Sequence, residues 1–344
     1  MKKVITFAIP CYNSAAYMDH CVEALLEGTR CADDVQIVIV DDGSAKDDTL
    51  AKAQAWQERH PSIVEAVHQE NGGHGAAVLK GLEHAEGTYF KVVDSDDWLD
   101  AGALGELMDT IRGFDASGER VDLVICNYVY EHVNDGTHHT VDYRHVLPVR
   151  RTFGWNDMGH FMMSQNLLMH ALCYRTDVLR DGGVPLPSHT FYVDNIYAYV
   201  PLPRCKTIYY LDVDLYRYYI GREDQSVNEK VMAGRIEQQV RVTRIMMHAY
   251  HPYRDIESYA LREYMVNYFV IMMAICSIFS KLSDHPDAMD ELDRLWAELH
   301  DYDRRLWRRC RLGIVGQASN LPGRVGNQVT MGIYHLARKV VKFN

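Results

Sequence analysis

The chain has 344 residues, enough for one large domain or two ordinary ones. Apolar residues make up 47% and charged residues 24%, a globular balance that excludes wholesale disorder, a collagen repeat and a long coiled coil. With 36 Lys plus Arg against 47 Asp plus Glu, the formal charge of −11 argues against a general nucleic-acid-binding surface.

Residues 1–10 hold two lysines and an apolar run too short for a signal-peptide core. Four short apolar runs, 4–9, 35–40, 63–67 and 89–93, read as buried strands. Between them lie segments of helical length: 15–26, 47–59 behind the cap candidate Ser44, and 76–85. Strand alternating with helix predicts a parallel sheet covered on both faces, with its ligand crevice beyond the carboxyl ends of the strands. The apolar run 121–130 and the tyrosine-rich run 208–219 extend that sheet. From about Val227 the pattern turns to long helical stretches through Leu299, which divides the chain into 1–226 and 227–344. The apolar stretch 265–280 contains Asn267, Tyr268 and Ser277 and falls short of the roughly 20 residues of a spanning helix, so a buried helix is expected.

The tail is a separate electrostatic object. From Asp301 on, nine basic and two acidic residues give +7, which leaves −18 for the first 300. Arg304-Arg305-Leu306-Trp307-Arg308-Arg309 and the mixed stretch 329–343 read either as an amphipathic surface on an anionic membrane or as helix packed on the acidic body. Eight cysteines, with no C-x-x-C pair and no histidine pair at zinc spacing, read as reduced packing residues in the cytoplasm.

The first four runs each end in polar turn residues: Pro10-Cys11-Tyr12-Asn13, Asp41-Asp42-Gly43-Ser44, Asn71-Gly72-Gly73-His74-Gly75, and Asp94-Ser95-Asp96-Asp97. The alternation puts all four on one sheet edge. Three carboxylates at one strand end repel unless a cation or hydrogen-bond donors compensate, and oxygen ligands favour Mg²⁺ or Mn²⁺, which brings phosphate oxygens with it. The alternative is a solvated acidic turn before the helix near Ala101. In Asp41-Asp42-Gly43-Ser44 a carboxylate suits a base N–H or a ribose hydroxyl, or the segment is a plain helix start. The glycine cluster lets backbone approach a ligand, but it lacks both G-x-G-x-x-G and G-K-[ST], so dinucleotide and P-loop readings are poor. His74 within it either contacts ligand or bonds the loop.

In this order and spacing, Pro10-x-Tyr12-Asn13, Asp41-Asp42-Gly43-Ser44, Asn71-Gly72-Gly73 and Gly87-Thr88-Tyr89 leading into Asp94-Ser95-Asp96-Asp97-Trp98 resemble glycosyltransferase family 2. The likeness is clear over 1 to about 112 and weaker to about 228. It implies the GT-A nucleotide-diphospho-sugar transferase fold, a Rossmann-like mixed α/β sheet flanked by helices, here with a mainly helical C-terminal region. It further implies inverting transfer of a sugar from a nucleotide-diphosphate donor to a saccharide or lipid-linked acceptor hydroxyl, in cell-surface polysaccharide or glycolipid assembly.

Residue by residue, the resemblance implies that Pro10, Tyr12, Asp41 and Asp42 line the nucleotide pocket, with Asn13, Gly73 and Ser95 in the same donor-binding set. Asp94 is to face ribose and sugar, and Asp96 to hold Mn²⁺ or Mg²⁺. Many members carry Ala-Ala-Arg-Asn after the glycine loop, where this chain has Ala76-Ala77-Val78-Leu79-Lys80; the arginine's contact is missing or falls to His74 or Lys80. Phe191-Tyr192-Val193-Asp194-Asn195 matches the acidic motif that supplies the base, which assigns Asp194. Its aromatic and apolar neighbours are expected to raise the Asp194 pKa, and Tyr192 suits a sugar face; the alternative is an exposed acid before a helix. Arg222 resembles the family's arginine-to-serine segment closing over the diphosphate; its alternative is a surface pair with Glu223 or Asp224. The rivals are a nucleotidyltransferase of similar fold, disfavoured by the absence of G-x-G-x-R after Ile9, and a non-catalytic nucleotide-sugar-binding protein, which the missing arginine keeps open.

Overall fold

The computed structural model describes residues 2–132, 136–162, 165–220, 229–323 and 326–332; Arg222 and the end of the basic tail from 333 lie outside them. Two compact units form, one of Met1–Gly159 with Leu167–Gly221 and one of His160–Asn166 with Arg222–Asn344.

The first unit is built on a mixed sheet. Strands β1 (Ile5–Cys11), β2 (Val35–Asp42), β3 (Val64–Gln69) and β4 (Tyr89–Val92) follow the four apolar runs, and β1 and β2 are buried at every position. Such runs, apolar on both faces, belong in a parallel sheet clad by helices. β1 pairs in parallel with both β2 and β4, and β2 with β3, so these four strands end on one edge. The intervening helices are α1 (Met18–Thr29), α2 (Thr49–Arg59) and α3 (His74–His84). α1 begins three residues later than the periodicity predicts, because the Ser14 carbonyl accepts from the Tyr17 and Met18 amides and makes 14–17 a turn. The Ser44 cap is a correction. α2 starts at Thr49 after Asp48, and the Ser44 hydroxyl accepts instead from the Asn13 amide at 2.8 Å, joining the ends of β1 and β2.

After β5 (Trp98–Leu99), Asp100 caps α4 (Ala101–Ser117) by accepting from the Ala103 amide, as the predicted helix near Ala101 requires. Then come β6 (Leu123–His132), β7 (Thr137–Val141), β8 (Thr152–Phe153), β9 (Leu172–Arg175), helices α5 (Thr176–Gly182) and α6 (Asp194–Tyr199), and β10 (Ile208–Ile220). The sheet order is β3-β2-β1-β4-β9-β6-β10-β5, with β7 on β6 and β8 on β10. β9 runs antiparallel to β4 and β6, while β10 is parallel to β6. The start of β9 and the end of β10 therefore reach the same edge as the ends of β1 to β4.

Gly87 explains one motif position sterically. A Cβ there would lie 2.4 Å from the Ile5 carbonyl carbon and the Thr6 nitrogen, so only glycine lets the chain enter β4 this close to β1.

The second unit is helical: α7 (Glu229–Gly234), α8 (Ile236–Ala249), α9 (Pro252–Asp255), α10 (Tyr259–Leu282), α11 (Ala288–Tyr302), α12 (Arg304–Leu312) and α13 (Ile314–Ser319). α10 is the one helix among the described residues long and apolar enough to cross a membrane, yet 72% of its most apolar window is buried within the structure. Part of the basic stretch packs on this unit. The Arg305 guanidinium sits 3.8 Å over the Tyr253 ring, and Arg309 lies 3.4 Å from Glu263 and 3.2 Å from the Asn267 amide oxygen. All eight cysteines are free thiols, seven of them buried and Cys31 exposed.

Candidate active site

The strand-end loops are knitted together by side chains that the sequence singles out. Asn13, at φ 51°, accepts through Oδ1 from the amides of Ala45 and Lys46 at 3.2 and 3.0 Å, which ties the β1 loop to the β2 loop. The Ser95 hydroxyl donates to that of Ser14 at 2.9 Å, tying the β1 loop to the acidic loop after β4. Tyr12, beside Pro10 at the end of β1, is 51% exposed and open to stack on a ligand.

Asp41 and Asp42 are both buried and both engaged. Asp42 accepts from the Gly72 and Gly73 amides, each at 2.8 Å, and from Gln69 Nε2 at 2.6 Å. It braces the glycine loop. Asp41 lies 2.7 Å from His68 Nδ1 and accepts from the Ser44 amide at 3.2 Å. Gly73 has φ 84°, and a Cβ on it would stand 2.9 Å from the His189 nitrogen. The His189 amide in turn donates to the Gly72 carbonyl at 2.7 Å, so the glycine loop fixes the segment that leads into Asp194.

Asp194 opens α6. Burial pushes its carboxyl above the ordinary carboxylate range; the nearby Asp94 adds to the rise while His74 opposes it. His74, at the start of α3, reaches Asp94 Oδ1 through Nε2 at 2.8 Å. Burial works against its protonated form, but Asp94 beside it, with Asp194 and Asp96 behind, holds its pKa above that of an ordinary imidazole. Asp94 is likewise drawn down against burial by His74 and by Lys91. Lys80 is elsewhere engaged: its ammonium lies 2.8 Å from Glu83 Oε2 on α3. Between the two residues offered for the missing arginine's contact, His74 is the one in the acidic cluster. Arg222 lies outside the described residues.

Three residues at this edge escape sequence reasoning. Tyr216 of β10 donates its hydroxyl to Asp97 Oδ2 at 2.6 Å and accepts from the Asp94 amide at 3.1 Å, clamping the acidic loop at both ends. The Tyr219 amide donates to the other Asp97 oxygen at 2.9 Å. Asp97 is almost wholly buried, and burial together with Asp96 and Asp94 pushes its carboxyl well up. His170, just before β9, is buried among the rings of Tyr128, Tyr216 and Tyr218. Burial pushes its pKa down to about 4, so it is a neutral imidazole at pH 7. Lys91 is a charged residue in an apolar strand; its Nζ donates to the His170 carbonyl at 2.6 Å, beneath the site.

One atom each from Asp94, Asp97 and His170 lie within 4.8 Å of one another, and His170 Nδ1 is buried with no partner. Two carboxylates and a neutral imidazole with a free ring nitrogen fit a divalent cation of the Mn²⁺ or Mg²⁺ type. Asp96, the ligand that the resemblance implies, is half-buried in the same loop and outside that trio.

Comparison with known proteins agrees with this geometry. The protein EpsH of Bacillus subtilis (strain 168) is 33% identical over 132 residues, 38% of this chain and 36% of its own length. Chondroitin synthase of Escherichia coli is 36% identical over 109 residues, 32% of this chain and 15% of its own. The chain thus aligns with about a third or less of these relatives. A crystal structure of S. aureus TarS in complex with UDP-GlcNAc superposes with a TM-score of 0.62 at 15% identity, covering 96% of this chain and 92% of that one, which shows the GT-A type of fold. Residues 6–173 match the sequence profile described as Glycosyl transferase family 2. With its strand-end motifs gathered on one edge of a GT-A sheet, the chain carries a glycosyltransferase family 2 domain over residues 6–173.

Proposed function

We propose that this chain is a metal-dependent inverting glycosyltransferase that moves a sugar from a nucleotide-diphosphate donor to an acceptor hydroxyl. The observation that carries the reading is the cluster of Asp194, His74 and Asp94 behind a glycine loop that Asp42 braces. Asp194, its affinity for protons raised by burial, takes the proton of the acceptor hydroxyl as that oxygen attacks the anomeric carbon. The bond from that carbon to the diphosphate oxygen breaks, and the nucleoside diphosphate leaves with the bonding pair. His74, whose protonated form Asp94 favours at the start of α3, faces that growing negative charge in place of the family's arginine. Pro10, Tyr12, Asn13, Gly73 and Ser95 frame the donor, and Arg222, outside the described residues, is assigned to its phosphates by the family resemblance.

Asp94, Asp97 and His170, with Asp96 beside them, would hold the cation. When bound, that ion neutralises diphosphate charge. For the setting we propose assembly of a cell-surface polysaccharide or glycolipid on a saccharide or lipid-linked acceptor, which the likeness to chondroitin synthase supports. Contact of the basic tail with an anionic membrane belongs to the same proposal, and failure to float with anionic vesicles at low salt would refute it. The catalytic reading is tested by incubating the full chain with a panel of nucleotide sugars, with and without Mn²⁺. Metal-dependent release of nucleoside diphosphate and a product of inverted anomeric configuration are expected. Pyrophosphate release from a nucleoside triphosphate would show a nucleotidyltransferase instead.

A further inference from the structure

The run 89–93 is apolar except for Lys91, whose side chain is wholly buried. An ammonium inside a strand clad on both faces is costly to bury, and a methionine would fill much the same space, so the charge calls for a role.

The pairing around it shows where that role lies. The ladder between β4 and β9 ends at Phe90 and Tyr174, while β4 stays with β1 as far as Val92 and β9 stays with β6 as far as Leu172. The sheet therefore parts between β4 and β9 on its way to the edge that carries the strand-end loops. Asp94 stands just beyond one lip of the gap and His170 just beyond the other. Lys91 crosses it. Its Nζ donates to the His170 carbonyl at 2.6 Å and to the Leu172 carbonyl at 3.4 Å. The same ammonium lies 5.3 Å from the centre of the Tyr216 ring, whose hydroxyl holds Asp97 and the Asp94 amide.

His170 is thus held twice, by Lys91 through its backbone and by the rings of Tyr128, Tyr216 and Tyr218 around its imidazole. Its distance from Asp94 and Asp97 then depends on how far the two lips stand apart, and Lys91 is the side chain that spans them. We propose that Lys91 is a positioning residue of the cation site: by bolting the lip that leads to His170 onto the lip that leads to Asp94, it sets the spacing of the ligands before an ion arrives. The inference rests on the assignment of Asp94, Asp97 and His170 to the cation. A brace of the core alone would act on folding, whereas a positioning residue acts on the metal through His170.

The test is a double-mutant cycle on the full chain, with Mn²⁺ affinity followed by electron paramagnetic resonance and the melting temperature by calorimetry. Lys91→Met is expected to weaken Mn²⁺ binding about tenfold or more while the melting temperature stays within about 5 °C of wild type, and the shorter, neutral Lys91→Gln should weaken it likewise. In a His170→Asn background, adding Lys91→Met should change the affinity by less than about twofold, because the group that Lys91 positions is gone. Wild-type Mn²⁺ affinity in both lysine variants would overturn the proposal. So would an equal loss with and without His170, which puts the action of Lys91 elsewhere, or failure of both variants to fold, which makes it a brace of the whole sheet. No Mn²⁺ binding by the wild-type chain would remove the cation site itself and this inference with it, an outcome distinct from the failure of Lys91 alone.

Discussion

Replacing Tyr216 by phenylalanine removes one oxygen and nothing else, and that oxygen holds the acidic loop at two points. Asp97 loses its 2.6 Å donor and keeps only the Tyr219 amide, while the Asp94 amide loses its 3.1 Å acceptor. A buried group stripped of its partner costs about 1–3 kcal/mol. Two such losses, softened because the raised pKa of Asp97 lets it become neutral, give about 2–4 kcal/mol. For a unit of this size each kcal/mol moves the midpoint by about 2–4 °C, so calorimetry is expected to show a drop of about 4–16 °C. The sign with pH follows from Asp97. Its native pKa lies above the unfolded value, so protonation stabilises the fold in the window between them, and stability is lost as pH rises through the native value. The Tyr216 hydroxyl favours the ionised form; without it the native pKa climbs further and the penalty is smaller at pH 5.5 than at pH 8. Loss of Mn²⁺ affinity should accompany the thermal shift. A variant that melts within about 1 °C of wild type and binds Mn²⁺ equally well would refute the clamp.

Gly87→Ala forces a Cβ against the backbone of Ile5 and Thr6 and is expected to destabilise the first unit by about 3 kcal/mol, read by urea unfolding; a change under about 0.5 kcal/mol contradicts the contact. Because Asp194 must be ionised to act, the acidic limb of kcat/KM should lie above the ordinary carboxylate range. His74 lowers the Asp194 pKa, so His74→Gln should move that limb to still higher pH, and a limb that stays in place separates the two groups. Asp96→Ala and His170→Asn should each weaken Mn²⁺ binding, followed by electron paramagnetic resonance, by about tenfold or more; either variant at wild-type affinity removes that residue from the cation site.

The first four strands were legible because each centres on a short, mainly apolar run, in β1 and β2 buried at every position, and their order alone placed four polar loops on one edge. What the loops do for one another was not legible. A carboxylate followed by glycine reads equally well as a ligand contact or a brace, and for Asp42 the deciding facts are two amides some thirty residues away. The Ser44 cap failed for the same reason, since the Asn13 amide claims its hydroxyl. His170 and Tyr216 reach the site only because β9 reverses direction within the sheet and β10 pairs beyond it, long-range facts with no local signature. Lys91 did carry a signal, a charge in the middle of an apolar strand, which marks either an edge or a buried polar contact.

The most direct measurement of the central claim is the kinetic split of Asp194→Asn, with donor binding and nucleoside diphosphate release followed on one preparation. The amide keeps the shape of the carboxylate and cannot take the acceptor's proton, so the donor should bind within about threefold of wild type while kcat falls by about 10²–10⁴. Turnover at the wild-type rate would contradict the assignment of Asp194 and the catalytic account built on it.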